Sequence, residues 1–595
     1  MIHVLPAQEW IALPPGTALG LYVPGAGGKI SREGTIASLR RGKVENALLG
    51  GKPGGKVLVD LEFGKAGHRP AVYIQLPPPG EHSNTRRYLV AVDAAGFSGI
   101  LASDSTRIDG LVSIPDITQT AIALAQHKQA DIDSVPGSLD DLKRLDTRLT
   151  RVHRDRGWTL TLVALTLFAL ALVAPRVGVL LGAAAVAVSL VLSFTETTRF
   201  WEVLVLVGTG SVALAVLASA RRRAIPFAVA LFFAAFLLVL TLSSETNSLA
   251  VLGARPDGGG RFYGIGNQIE TLLLPPFIAA LVVGGLPWLV PLGALTLVTI
   301  GWSKAGADGG GLVVYAVVLA VLLLRLRPGP LTWRRAALAG AGVVVVALGL
   351  VGIDAALGGS SHVTHAVDTG PGSLLGDLGH RLHLSWESAT KAWYTIVQFL
   401  ASLAALVWIG TRTPRRISVD AMLVALAVSL VVNDTPVDVI GLGALCCLAL
   451  LRFEAVDSRP MRRGVLTAVC AAAVLALAAC GSEGVVSPAP QTVVGTVQAE
   501  APGKAIFVNQ GCGACHTYAP AGPEAKGNIG PDLDKLAQYA KAANQPLATF
   551  VHDSIVDPNK YVEKGYPKNV MPKSYASLPG TDLKDLVDFL SKPQG

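Results

Sequence analysis

Hydrophobic and polar positions along this chain change their rhythm twice. From Trp158 to Leu451 apolar runs follow one another with only short polar breaks. About eleven of them read as helical spans: residues 158–174, 176–194, 201–220, 225–242, 268–284, 286–302, 311–325, 336–353, 394–410, 418–433 and 437–451. Several fall short of the ~20 residues that a full bilayer crossing needs. Residues 1–150 behave differently. Val57 to Leu61, Ala71 to Leu76 and Tyr88 to Val92 have the apolar, β-branched character of strands, Leu76 to Gly80 is a proline-stiffened turn, and Asp116 to Gln126 has helical spacing. Beyond residue 500 three helical patterns return: Ala501 to Gln510, Leu533 to Asp557 and Asp582 to Ser591, the last with Gly580 or Thr581 as N-cap.

The fold class these rhythms predict is multi-domain. An α/β domain fills residues 1–150, a polytopic all-α membrane domain residues 157–452, and a small all-α domain residues 501–595. Composition agrees, with 51% hydrophobic and 15% charged residues. The net charge of +8 resides mostly in loop arginines, which makes it a statement about topology and not about nucleic-acid binding. Arg221 to Arg223, Arg325 to Arg335, Arg412 to Arg416 and Arg452 to Arg463 are expected on the cytoplasmic side. The loops between them, Ser243 to Glu270, Lys304 to Gly310, Asp354 to Trp393 and Asn433 to Asp438, then fall outside. Neither a Walker A loop complete with its Gly-Lys-Ser/Thr ending nor a dinucleotide glycine fingerprint occurs.

The densest chemistry is at the C-terminus. Cys512 and Cys515 are separated by two residues and His516 follows at once, the c-type haem attachment spacing. Two thiols so spaced reach the two vinyl groups of one haem, and the adjoining histidine is delivered to the iron. The cysteine pair alone would also suit zinc or a dithiol redox site; the histidine favours haem. Met571, the only methionine after residue 500, is the expected second axial ligand. Its neighbours Lys568, Asn569, Pro572 and Lys573 form a polar loop with no apolar rhythm to bury it as core filler. His552 is the alternative, read as a histidine on a helix surface.

On these residues, together with Gly503, Phe507, Gly530-Pro531-Asp532-Leu533 and Phe589, the stretch from about 500 to 595 resembles a class I cytochrome c domain. The resemblance implies one covalent haem c on Cys512 and Cys515, with His516 and Met571 as axial ligands. It implies that the Pro531 carbonyl binds the second ring nitrogen of His516 and fixes its tautomer. It also implies that Gly503 and Phe589 mark the crossing of the first and last helices. The run from Ser554 through Gly565 to Pro572 is similar to haem domains fused to subunit II of terminal oxidases, although no copper-ligand cluster precedes it. The implied partners are a quinol-oxidising complex as donor and a terminal oxidase as acceptor, with Lys564, Lys568 and Lys573 as docking charges. Such a domain carries electrons and catalyses no bond chemistry of its own.

Residues 461–480 resemble a bacterial lipoprotein signal peptide, with basic Arg462-Arg463, a short apolar stretch and the lipobox Leu477-Ala478-Ala479-Cys480. Cleavage before Cys480 would release a lipidated cytochrome tethered by the flexible segment 481–500. The competing reading is a twelfth span. Either one places the protein in a bacterial cell membrane, in contact with lipid, with the haem domain extracytoplasmic. The chain thus reads as two proteins in one frame. Its other functional reading is a polytopic transporter or phosphohydrolase-related membrane protein that carries the cytochrome by gene fusion.

Leu101 to Ile117 resembles a late stretch of actinobacterial multi-pass proteins with an alkaline-phosphatase-like extracytoplasmic domain. No paired Asp-x-His cluster accompanies it; His68, His82, Asp93 and Asp104 are isolated and read as surface residues, so the domain is expected to be a truncated, inactive remnant. An extracytoplasmic domain with neither signal peptide nor preceding span implies an internal or truncated start. In the membrane region Asn267, Asp308, Asn433, Asp434 and Asp438 lie at the edges of spans beside glycines, where polar groups are costly and often functional. They form a candidate polar site. Cys446, Cys447 and Cys470 lie in apolar segments and need no special role.

Overall fold

The structure is a computed structural model. It describes the chain apart from residues 1, 6–9, 11–12, 15, 46–52, 64–68, 260, 328, 331, 357–389, 391, 434–435, 456–501, 511, 523–524, 526, 528–529, 569, 572–574, 577, 579 and 592–595. His68, Asp434, Lys573, Cys480, the signal-like segment 461–480 and the tether 481–500 therefore lie outside the described residues. The chain divides into two compact units, residues 1–146 with 258–260 and 488–595, and residues 147–257 with 261–487.

The N-terminal residues build a mixed sheet from β1 (Ile2–Val4), β2 (Ala18–Tyr22), β4 (Leu61–Phe63), β5 (Ala71–Ile74), β7 (Tyr88–Asp93), β8 (Ile100–Ser103), β9 (Leu111–Val112) and β10 (Ile132–Val135). The order is β10-β8-β2-β7-β5-β1-β4, with β9 pairing β2. A separate two-stranded ribbon joins β3 (Lys29–Ser31) to β6 (Glu81–Ser83). Every residue of β5 and β7 is buried. That explains their unbroken apolar runs, since a central strand covered on both faces has no polar side to show. Helix Ile114–Ala125 starts two residues before the expected Asp116, because Ser113 and Asp116 form a capping box and Pro115 suits the first turn. The strand expected over 57–61 occupies Leu61–Phe63 instead, and Val57 and Leu58 are exposed.

In the second unit helices cover each of the predicted apolar runs. Seven among the described residues are long and apolar enough to cross a membrane: Leu139–Val173, Phe200–Ser219, Arg222–Leu242, Asn267–Gly284, Gly309–Leu326, Trp333–Asp354 and Trp393–Gly410. Leu181–Phe194, Leu286–Gly301 and Ile417–Val432 are apolar but shorter. These helices describe a membrane protein; a count of eleven crossings goes beyond what their length and composition establish. The first helix reaches back to Leu139, far before the apolar run, because the charged residues ahead of Trp158 keep helical geometry. The run 176–194 is broken into Pro175–Gly178 and Leu181–Phe194. Large apolar side chains such as Trp201, Leu231, Leu242, Val290 and Leu338 face outward, as a lipid-facing belt requires.

Helix Asn267–Gly284 is enclosed by its neighbours from Ile269 through Leu281. Close packing there depends on Gly182, where a Cβ would come within 2.1 Å of the Leu272 carbonyl oxygen. Small residues let helix backbones approach in this way where apolar burial gives no advantage over lipid.

The C-terminal residues form helices Pro502–Asn509, Leu536–Ala542, Leu547–Val556 and Gly580–Leu590, with short 3-10 turns at Cys512–Ala514, Ala519–Ala521 and Leu533–Lys535. The single helix expected over 533–557 is thus two. Asn544 takes a left-handed conformation, φ 53°, and Pro546 follows, so the first helix ends and the second begins after a tight turn. Phe507, Tyr518, Leu536, Phe550, Val551, Leu586 and Phe589 share one core.

Candidate haem centre and a buried polar cluster

The haem-attachment residues sit where the first C-terminal helix gives out. Helix Pro502–Asn509 runs into the turn Cys512–Ala514, closed by Cys515 N–H and His516 N–H donating to the Cys512 carbonyl at 3.2 and 3.0 Å. The turn therefore presents two thiols and an imidazole from one loop. Cys512 and Cys515 are unbridged and partly buried. Burial pushes the Cys512 thiol up to about 12, which keeps it protonated at neutral pH.

His516 is held from two sides. Its Nδ1 lies 2.8 Å from the Pro531 carbonyl oxygen, so the neutral ring carries its proton on Nδ1 and leaves Nε2 for a metal. Burial lowers the imidazole's affinity for a second proton, and the Pro531 contact opposes this only in part. Against the ring lies Gly530, where a Cβ would fall 2.3 Å from Cε1 and 2.7 Å from Nδ1. Only glycine fits there. Gly530 N–H donates to the Cys515 carbonyl at 2.7 Å and Leu533 N–H to the Thr517 carbonyl at 2.9 Å, binding the Pro531 segment to the cysteine turn. Met571 is half-buried in its loop. His552 sits on the exposed side of helix Leu547–Val556, 3.4 Å from Asp553. Lys564 and Lys568 are exposed.

The scaffold behind the site is an aromatic cluster at a helix crossing. At Gly503 a Cβ would meet the Asp585 carbonyl oxygen at 2.1 Å and Phe589 Cβ at 2.3 Å, so the first and last helices touch backbone to backbone. Phe507, Tyr518 and Phe589 pack there with ring centroids 5.4 to 6.1 Å apart, and the Tyr518 hydroxyl donates to the Phe589 carbonyl at 3.1 Å. Tyr575 donates to the Gln510 carbonyl at 3.2 Å, tying the Met571 side of the domain to the end of the first helix. These residues fit a covalently held haem: two unbridged thiols, an oriented imidazole, a cradle that only glycine leaves open, and a thioether within the same small fold.

Of the membrane residues selected from the sequence, Asp434 lies outside the described residues and the others take different partners. Asp308 caps helix Gly309–Leu326, accepting from Gly311 N–H at 3.0 Å. Asn433 ends helix Ile417–Val432 and donates through Nδ2 to Glu270 Oε2 at 2.9 Å and to Ser429 Oγ at 2.7 Å. Asp438 instead accepts from Gln268 Nε2 at 2.7 Å, beside a small pocket whose wall includes Gln398 and Gly441. Asn267 contributes its backbone carbonyl to Thr271 Oγ1 at 2.8 Å. Sequence reasoning passed over Glu270 and Gln268 as site residues. A carboxylate in the first turn of an apolar helix was the available signal.

Among the described residues no group of three or more His, Cys, Asp or Glu could hold a metal ion. In the N-terminal domain Asp93, expected at the surface, is instead buried in its strand and pairs with Arg69 at 3.0 Å, and His82 Nε2 lies 2.6 Å from the Pro79 carbonyl.

An imidazole oriented by a proline carbonyl directly after a Cys-x-x-Cys turn is the arrangement of a c-type haem-binding site. The Cytochrome c family model matches residues 500–593, and this chain accordingly carries a cytochrome c domain at its C-terminus. No curated protein and no solved structure matches the chain.

Proposed function

We propose that this protein is a membrane-anchored c-type cytochrome that moves single electrons along a respiratory chain. Cys512 and Cys515 would hold one haem through thioether bonds, and His516 and Met571 would serve as its iron ligands. The observation that carries this reading is the His516 Nδ1 to Pro531 contact of 2.8 Å within the turn that bears both thiols. When bound, the haem supplies a one-electron iron couple tuned by its axial ligands and its burial. The chain's own part is positional: Pro531 orients His516, Gly530 leaves room for the ring, and the aromatic crossing excludes water behind it. Lys564 and Lys568 provide docking charge for an acidic donor or acceptor surface, a quinol-oxidising complex on one side and a terminal oxidase on the other.

The same reading puts the haem domain and the N-terminal sheet domain, an alkaline-phosphatase-like remnant, outside the cell membrane. It makes Cys480 a lipidated N-terminus after signal cleavage. A haem-stained gel of membranes tests both parts. The expected result is covalent haem on a fragment beginning at Cys480, with a c-type band in the reduced-minus-oxidised spectrum. Haem only at the full 61.7 kDa would reject the cleavage, and no covalent haem after co-expression with a haem-attachment system would reject the cytochrome reading itself.

A further inference from the structure

Glu270 stands in the first turn of the enclosed helix Asn267–Gly284 and is wholly buried. Its Oε2 accepts from Asn433 Nδ2 at 2.9 Å, while Oε1 is buried and meets no donor. Asp308, 2% exposed, repeats the pattern. Its Oδ1 accepts from Gly311 N–H at 3.0 Å, and its Oδ2 is buried and meets no donor. Helix Gly309–Leu326, which Asp308 caps, packs beside Glu270 through its Tyr315, whose hydroxyl reaches the Glu270 backbone carbonyl at 2.9 Å. Asn433 reaches both elements. Its Nδ2 serves Glu270, and its Oδ1 lies only 2.4 Å from where a Cβ on Gly310 would stand, in the first turn after Asp308.

The other titratable groups facing the pair are few. The Tyr315 hydroxyl donates to the Glu270 backbone carbonyl at 2.9 Å, and Cys446 Sγ lies 3.7 Å from the Thr271 carbonyl. Asp438 is engaged by Gln268, and the Arg261 guanidinium donates to the Ile265 carbonyl. Neither carboxylate has a Lys, Arg or His ion-pair partner among the described residues.

An ionised carboxylate taken out of water without a compensating charge is strongly disfavoured, and two that feel each other are disfavoured further unless they share a positive charge. A divalent ion that takes about six or more oxygen ligands is poorly served by two carboxylates and one amide. One proton or one monovalent ion placed between two such carboxylates relieves part of their repulsion, and helix ends at membrane depth are where coupling ions are held in membrane proteins. We propose that Glu270 and Asp308, together with Asn433, form a binding site for one small monovalent cation, a proton or Na+, within the membrane unit. The site is independent of the haem, and it gives the membrane part of the chain an ion-exchanging chemistry of its own.

The test is carbodiimide labelling of the full-length protein in detergent, read by peptide mass spectrometry. Dicyclohexylcarbodiimide adds to a protonated carboxyl in an apolar site and leaves a stable N-acylurea. Labelling of Glu270 is expected to fall about tenfold or more between about pH 5 and about pH 9. If Na+ is the occupant, Na+ but not choline protects at fixed pH; if the proton is, pH alone controls the label. Asp308→Asn keeps an oxygen for the helix cap. It is expected to move the labelling midpoint by about one pH unit or more, or to remove Na+ protection. Glu270→Gln removes the label at its own position. A label absent across the range, or indifferent to both pH and Na+, overturns the proposal, and the parent chain alone decides this whatever the variants do to folding. The haem spectrum of the same samples stays unchanged in Asp308→Asn, which separates this site from the electron-carrier reading.

Discussion

The haem centre and the Glu270 cluster are two polar sites built by opposite routes. At the haem centre Cys512, Cys515 and His516 come from one turn, and only Pro531 and Met571 arrive from further along the chain. In the membrane unit Glu270, Asp308 and Asn433 come from three helix ends widely separated in sequence, each holding one polar group that looks ordinary alone. The difference lies in what fixes geometry. A covalently attached cofactor needs its attachment points at set spacing along the chain, so its site is written locally. A dry polar cluster needs only that packing bring its members together, so nothing in the sequence spacing announces it. The two also differ in how they satisfy burial: His516 has a partner for its second nitrogen, whereas Glu270 and Asp308 each keep an oxygen without one.

This contrast can be broken or sharpened by experiment. The largest effect is expected from replacing both thiols: Cys512→Ala with Cys515→Ala removes all covalent haem stain and leaves no c-type spectrum. Met571→Ala comes next, with haem retained but the low-spin His/Met spectrum replaced and the potential lowered; an unchanged spectrum would make another residue the sixth ligand. Gly503→Ala forces a methyl group into the Asp585 carbonyl, and an unfolding curve of the haem domain is expected to show a loss of about 1–3 kcal/mol. Gly530→Ala presses on the His516 ring by a comparable overlap, so stability falls by a similar order while the haem-loaded fraction also drops.

The smallest effect concerns pH before haem is attached. The folded-state affinity of His516 for a proton is lowered by burial, so the folded form binds fewer protons than the unfolded one. The contribution is fully present above the unfolded-state value near 6.5 and is lost as pH falls through it toward the lower folded value. A urea titration of the haem-free domain should therefore show a midpoint that declines below about pH 6.5, a decline that His516→Ala removes.

Much of the helical content was legible because apolar runs in a membrane protein leave little choice. A backbone out of water must satisfy its own hydrogen bonds, and a helix does so within one segment. Boundaries were less legible. The break at Asn544 to Pro546 was visible as residue types, yet helical spacing continued across it and masked the turn. Ile114 entered its helix through a capping box that the apolar rhythm did not reach. In the N-terminal domain the strands at Ala71–Ile74 and Tyr88–Asp93 could be read from their composition, but their places at the centre of a mixed sheet could not, since strand order depends on non-local pairing.

The sequence by itself determined the haem chemistry, since thiol spacing and the adjoining imidazole are covalent facts about neighbouring residues. It also determined the membrane character of the middle of the chain, since hydropathy is a sum over local residues. Tertiary structure alone decided that Gly530 lies against the His516 ring, that Gly503 is the point where two helix backbones meet, and that Glu270 takes Asn433 as a partner beside the helix that Asp308 caps. Each of these depends on close approach between segments far apart in the chain, and such distances are set by packing and not by spacing along the sequence.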